Sequence, residues 1–247
     1  MSTYVGRRPI SSRLRRRKRR QPSDDGPERL RRSPILWFTV TALAVLGLVG
    51  LLTWHLTREP PAPMLAVPAA VVDDGGGRSG LLVAGTGPTT VEVYTDFLCA
   101  QCRTTDAATR PVLDHLVATN RIRLVWHPIA LLDEESTPTG YSSRAANALA
   151  CASDAGKLRP FADALYANQP APGGAGLSDD QIMDMAGPVG LNAPAFAACV
   201  RDQRYHDWVA IVDASAVQRG VATAPAIFVN GTRVSQLTPQ AITAAVG

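Results

Sequence analysis

The stretch from Ile35 to Thr57, ILWFTVTALAVLGLVGLLTWHLT, constrains this chain more than any other: 23 residues pass without an Asp, Glu, Lys or Arg. A run of that length has no polar side to turn toward water. As a helix rising about 1.5 Å per residue it spans a hydrocarbon core of roughly 30 Å. Trp37 and Trp54 stand near its ends, where interfacial aromatics are favoured. The cluster Arg13–Arg20 and Arg29, Arg31 and Arg32 precede it, and only Arg58 follows closely. That asymmetry predicts a single-pass transmembrane helix over 35–57, with the N-terminus in the cytoplasm and the rest of the chain outside. A cleaved signal peptide is the alternative. It would carry an apolar core of about 7–15 residues and a small-residue cleavage site, whereas this run closes on bulky Trp54, His55 and Leu56.

The charge divides at the same place. Residues 1–34 hold twelve Lys/Arg against three Asp/Glu, while from Arg58 onward thirteen face eighteen. The net charge of +4 therefore belongs to a basic, disordered cytoplasmic tail, and it argues for no nucleic-acid partner of the folded part. Residues 58–79 contain EPPAPM and DDGGG, the composition of a flexible linker, so the folded domain is expected over 80–247.

Within that domain the hydrophobic period changes along the chain. Leu81–Ala84 reads as an edge strand, and Thr90–Thr95 (TVEVYT) alternates as a second strand that runs straight toward Cys99. From Cys99 to Ala118 the rhythm is helical, with Val112, Leu113, Leu116 and Val117 on one face and a kink expected at Pro111. Arg121–Trp126 alternates again. A helical block follows over about 140–201, broken at Gly156, at NQPAPGGAG and at Gly187-Pro188. Tyr205–Gln218 reads as a helix, Ala226–Val229 as a strand, and Asn230-Gly231 as a hairpin turn with Val234 opening the return strand. Thr238 caps a last helix with Pro239 at its first position. The order is a β-α-β unit and a β-β-α unit separated by a helical insertion, an α/β architecture.

Cys99-Ala-Gln-Cys102 sits where strand becomes helix. A sulfur at a helix N-terminus meets free backbone N–H groups and the positive end of the helix dipole, both of which favour the thiolate, the reactive form. The second sulfur, one turn on, is placed to close an intramolecular disulfide. Cys99 is the candidate nucleophile and Cys102 the candidate resolving thiol. Half of a zinc site is the competing reading of C-x-x-C, but Cys151 and Cys199 stand 48 residues apart and His115, His127 and His206 do not cluster, so no metal is assigned.

VEVYTDFLCAQC, the later TAPAIFVNG and the helical block between them resemble the DsbA-like branch of the thioredoxin superfamily. The likeness covers roughly residues 88–247. In layout the chain is similar to the membrane-tethered DsbA-like proteins of mycobacteria and their relatives, and YSSRAANALAC with a further Cys about fifty residues on adds to it. The resemblance implies a thioredoxin fold with an inserted helical subdomain, no resident cofactor, and a cis peptide before Pro225 beside the cysteines. It also implies that the backbone of Ala224 pairs with substrate, so Ala224 and Pro225 are candidate substrate-binding residues. Strongly oxidising members often carry Pro-His between the cysteines. Ala100-Gln101 supplies no cation there, which predicts a less acidic Cys99 and a milder oxidant. Asp96 has two readings: a proton acceptor for Cys102, or a loop residue near the helix start.

Cys151 and Cys199 lie in the helical block, and are either a structural disulfide or two buried thiols. An oxidising compartment and an even count favour the disulfide. The leading function is an oxidase, read as a monomer, that introduces disulfides into exported proteins and is reoxidised by a membrane redox partner. A tethered reductase or isomerase, or a non-catalytic scaffold with structural disulfides, are the alternatives.

Overall fold

The computed structural model describes residues 34–57, 65–72, 79–136, 140–191 and 194–247. The basic tail over 1–33 and most of the linker, at 58–64 and 73–78, lie outside them. The chain divides into two units, residues 1–62 and 63–247. In the first, α1 runs Pro34–Thr57, about 36 Å at the helical rise. Its segment Trp37–His55 is long and apolar enough to cross a membrane. Hydroxyls of α1 turn back onto the helix: Thr41 Oγ1 donates to Trp37 O and Thr53 Oγ1 to Val49 O, both at 2.9 Å. A hydroxyl satisfied this way adds little cost in a hydrocarbon setting.

In the second unit the strands are β1 (Val71–Val72), β2 (Gly80–Ala84), β3 (Thr89–Thr95), β4 (Ile122–Pro128), β5 (Ala226–Val229) and β6 (Thr232–Arg233). They form one sheet in the order β1-β2-β4-β3-β5-β6. Central β3 pairs parallel with β4 and antiparallel with β5. Its parallel crossover is α2 (Ala100–Ala118), which continues through Pro111 and buries Cys102, Thr105, Thr109, Leu113 and Leu116, spaced three and four apart. The β3 alternation does not leave a wet face. Val91 and Tyr94 are both fully buried, and Glu92 on the Tyr94 side is buried as well. Glu92 accepts from Arg219 at 2.9 Å and lies 3.5 Å from His127 Nε2, so the buried carboxylate has cationic company. The ring of His127 stacks on Tyr94 at 4.2 Å.

Two expectations are corrected. Gly80–Ala84 is not an edge strand: β1 covers it, drawn from residues expected to be linker. Ala66, Val67, Ala70 and Val71 pack on the core, and Ala69 N–H donates to Asp154 at 2.8 Å. The folded body thus begins before Gly80, because LAVPAAVV is apolar enough to dock even though Pro and Gly flank it. The return strand of the hairpin is β6, starting at Thr232 and not at Val234. Asn230 and Gly231 both take positive φ, 47° and 77°, so the turn needs only those two residues.

The helical block resolves into α3 (Tyr141–Asp154), α4 (Leu158–Ala167), α5 (Asp179–Asp184) and α6 (Pro194–Arg201). Then come α7 (His206–Gln218) and α8 (Pro239–Val246), the latter capped by Thr238 Oγ1 accepting from Ala241 N–H at 3.2 Å. Ala145, Ala146, Ala148, Ala150 and Ala152 make α3 buried almost all round. Its small side chains let neighbouring helices approach closely, which is why this segment shows no clean amphipathic stripe. Cys151 of α3 is bonded to Cys199 of α6, with Cα atoms 5.9 Å apart.

Candidate redox site

The end of β3, the start of α2 and the chain entering β5 converge on Cys99. Cys99 is the N-cap of α2, with extended backbone (φ −76°, ψ 108°). Its Sγ accepts from the Cys102 N–H at 3.0 Å, the bond a capping hydroxyl would make. Cys99 and Cys102 are bonded, Cα to Cα 5.2 Å. Exposure separates the two: Cys99 retains 7% and Cys102 only 1%. Any incoming sulfur therefore reaches Cys99 first.

The Ala224–Pro225 peptide is cis. Ala224 O lies 3.6 Å from Cys99 Sγ, and Pro225 lines a small pocket with Cys102, Thr95, Thr105 and Tyr166. Residues 125 apart in sequence thus form one wall. Ala100 and Gln101 are exposed, and the Gln101 side chain turns toward Thr105 at 3.4 Å.

Asp96 is fully buried. Its Oδ1 accepts from Leu98 N–H at 2.9 Å and from Ser142 Oγ at 2.6 Å, and its Oδ2 accepts from Leu132 N–H at 3.0 Å. Burial pushes its carboxyl up to about 6, against the opposing pull of those three donors. These bonds tie the loop before Cys99 to α3 and to the loop after β4.

Sequence reasoning passed over three residues here. Tyr166, near the end of α4, has its hydroxyl bonded to Thr95 Oγ1 and its ring 4.9 Å from that of Phe97. Gln169, just beyond α4, donates from Nε2 to Phe97 O at 2.9 Å and to Cys99 O at 3.0 Å. Ser142 supplies the hydroxyl held by Asp96. Gln169 falls in NQPAPGGAG, legible merely as a break, and Ser142 in YSSRAANALAC, legible only as a helix and part of the family likeness. Among the described residues no group of three or more His, Cys, Asp or Glu could hold a metal ion.

A family model described as thioredoxin matches residues 84–247. The chain belongs to the thioredoxin family. Several solved thioredoxin-fold structures are similar to it. DsbG, a disulfide bond oxidoreductase from Mycobacterium tuberculosis in its reduced form, is 27% identical, covering 70% of this chain and 90% of that one, with a TM-score of 0.60. Reduced DsbA from Mycobacterium tuberculosis is also 27% identical, covering 68% and 90%, with a TM-score of 0.59. MdbA, a thiol-disulfide oxidoreductase from Actinomyces oris, covers 77% and 95% with a TM-score of 0.56, and at 20% identity it speaks to the fold alone. No curated protein matches the chain. Within the thioredoxin family this is the DsbA-like arrangement, and with its Cys99–Cys102 pair the protein is a thiol–disulfide oxidoreductase.

Proposed function

We propose that the protein is an extracytoplasmic oxidase that passes the Cys99–Cys102 disulfide to reduced, exported proteins. The observation that carries this is the placement of Cys99 at the N-cap of α2, more open than Cys102. A substrate thiolate attacks Cys99 Sγ. The Cys99–Cys102 bond breaks, and its electron pair leaves on Cys102, which takes up a proton. A second substrate thiolate then attacks the substrate sulfur of the mixed disulfide and expels Cys99 as a thiolate. The substrate has lost two electrons and the pair has gained them. Cys99 is a good leaving group because its thiolate would accept the Cys102 N–H as a charge-assisted bond. The backbone of Ala224, beside Cys99, is the strand-like contact for substrate, with Pro225 behind it, and Asp96 orders the loop. A membrane redox partner that accepts two electrons restores the disulfide. Support for the outside location comes from the apolar helix and the basic residues before it.

One observation favours a tethered reductase instead: Ala100-Gln101 brings no cation to the thiolate. The reduction potential separates the two. A value of about −120 mV supports the oxidase and one of about −270 mV the reductase. In cells, Cys102→Ser is expected to accumulate mixed disulfides through Cys99, and Cys99→Ser to form none. Full function in Cys99→Ser would favour a scaffold and refute both redox directions.

A further inference from the structure

Among the side chains by which the helical insertion meets the redox site, Gln169 has an unusual pair of partners. Gln169 Nε2 donates to Phe97 O and to Cys99 O, at 2.9 and 3.0 Å. Both partners are carbonyl oxygens, which only accept, so the amide nitrogen and not its oxygen must face them. A carboxamide nitrogen carries two N–H bonds, one for each carbonyl. Cys99 O already accepts from Cys102 N–H at 3.0 Å and Arg103 N–H at 3.3 Å, as the first carbonyl of α2. Gln169 therefore grips the backbone on both sides of Leu98, where the chain must turn from strand to helix. Its own backbone turns back on the end of α4, donating to Tyr166 O at 3.4 Å, while Tyr166 holds Thr95 and packs on Phe97.

The two carbonyls are dipoles with their negative ends close to the backbone of the residue whose sulfur must carry charge. Without the Gln169 donors, they disfavour a thiolate on Cys99. Hydrogen bonds from Gln169 draw that negative density away and keep Cys99 in the extended conformation that lets Sγ cap α2. The oxidised pair has no charge to stabilise, so the effect falls on the reduced form. Resting on the oxidoreductase reading, we infer that Gln169 is a positioning residue for Cys99, through which the helical insertion lowers the Cys99 thiol pKa and makes the disulfide more oxidising.

The test uses the full-length protein in detergent. Three quantities are read: the Cys99 thiolate absorbance across a pH titration, the equilibrium with glutathione, and the unfolding midpoints of the oxidised and reduced forms. Gln169→Leu removes both donors without adding charge. It is expected to raise the Cys99 pKa by about one unit and to shift the glutathione equilibrium about tenfold toward the disulfide, about 30 mV for a two-electron couple. The reduced form should lose more stability than the oxidised one. Gln169→Lys keeps donors within reach, and its Cys99 pKa should stay at or below that of the wild type. Equal loss of stability in both redox forms with an unchanged Cys99 titration would overturn the inference, leaving Gln169 a merely structural contact. So would a lysine variant that matches the leucine one. If the leucine variant does not fold, Gln169→Glu takes its place, and shifts of the same sign in the lysine and glutamate variants would overturn it. Failure of the wild type to exchange with glutathione at all would instead sink the oxidoreductase reading.

Discussion

At the scale of single residues, Asp96 and Asp213 set an uncommon pH dependence. Asp213 Oδ1 accepts from Ala130 N–H at 2.8 Å, two residues before the Leu132 N–H held by Asp96. Burial pushes both carboxyls up to about 6 from an ordinary 3.8. A carboxyl whose folded-state pKa is raised binds its proton more tightly folded than unfolded. Its contribution to stability is complete below about pH 3.8 and is lost as the pH rises through about 6. For fully buried Asp96 the span is roughly 3 kcal/mol at most. Denaturant titrations between about pH 4 and 7 should therefore show these two groups adding stability on acidification, and Asp96→Asn should flatten that rise. Identical pH slopes in the variant and the wild type would contradict it. Asp96 was visible in the sequence as a residue three before Cys99, but its partners Ser142 and Leu132 come from other elements, so its task was not.

At the scale of elements, the decisive join is between the helical insertion and the strand-to-helix loop. The Cys151–Cys199 bond fastens α3 to α6, Ser142 of α3 meets Asp96, and α4 presents Tyr166 with Gln169 just past its end. Closing a 48-residue separation limits the unfolded chain by roughly 4 kcal/mol in the entropy model. Replacing both Cys151 and Cys199 by Ala should cost about 2–4 kcal/mol in urea denaturation while leaving Cys99–Cys102 able to exchange with glutathione. Loss of that exchange in a folded double variant would mean that the bond does more than staple the insertion. The main strands and helices were legible because their hydrophobic periods are clean. Two short strands were not. β1, which lies in residues expected to be linker, has two residues, too few to carry a period, and β6, expected to start at Val234, is set by the two-residue turn, not by a hydrophobic pattern of its own.

At the scale of the whole molecule, the chain pairs an apolar helix with a thioredoxin-family domain. If α1 anchors the protein, the full chain should remain in the membrane pellet after alkaline carbonate washing, and a chain starting at residue 63 should be soluble. External protease should then remove the domain from intact spheroplasts. Protection of the domain under those conditions would reverse the orientation argued from the basic residues. A domain accessible to that protease would keep the Cys99–Cys102 disulfide in a compartment in which disulfides persist.

The sequence alone determined the long apolar helix, the β-α-β and β-β-α units, the position of Cys99 at a helix start and the family resemblance. Each of these is written in contiguous residues, as a period, a charge step or a short motif. Tertiary structure alone decided that Ala224 reaches to 3.6 Å from the Cys99 sulfur, that residues before Gly80 complete the sheet, and that Gln169 grips the carbonyl of Cys99. Those contacts join residues between 8 and 125 positions apart. Local propensity is blind to such pairs, which exist only once the sheet and the helical insertion have closed around the same loop. The C-x-x-C motif shows where exchange takes place, while the groups that position and tune Cys99 come from chain far away in sequence.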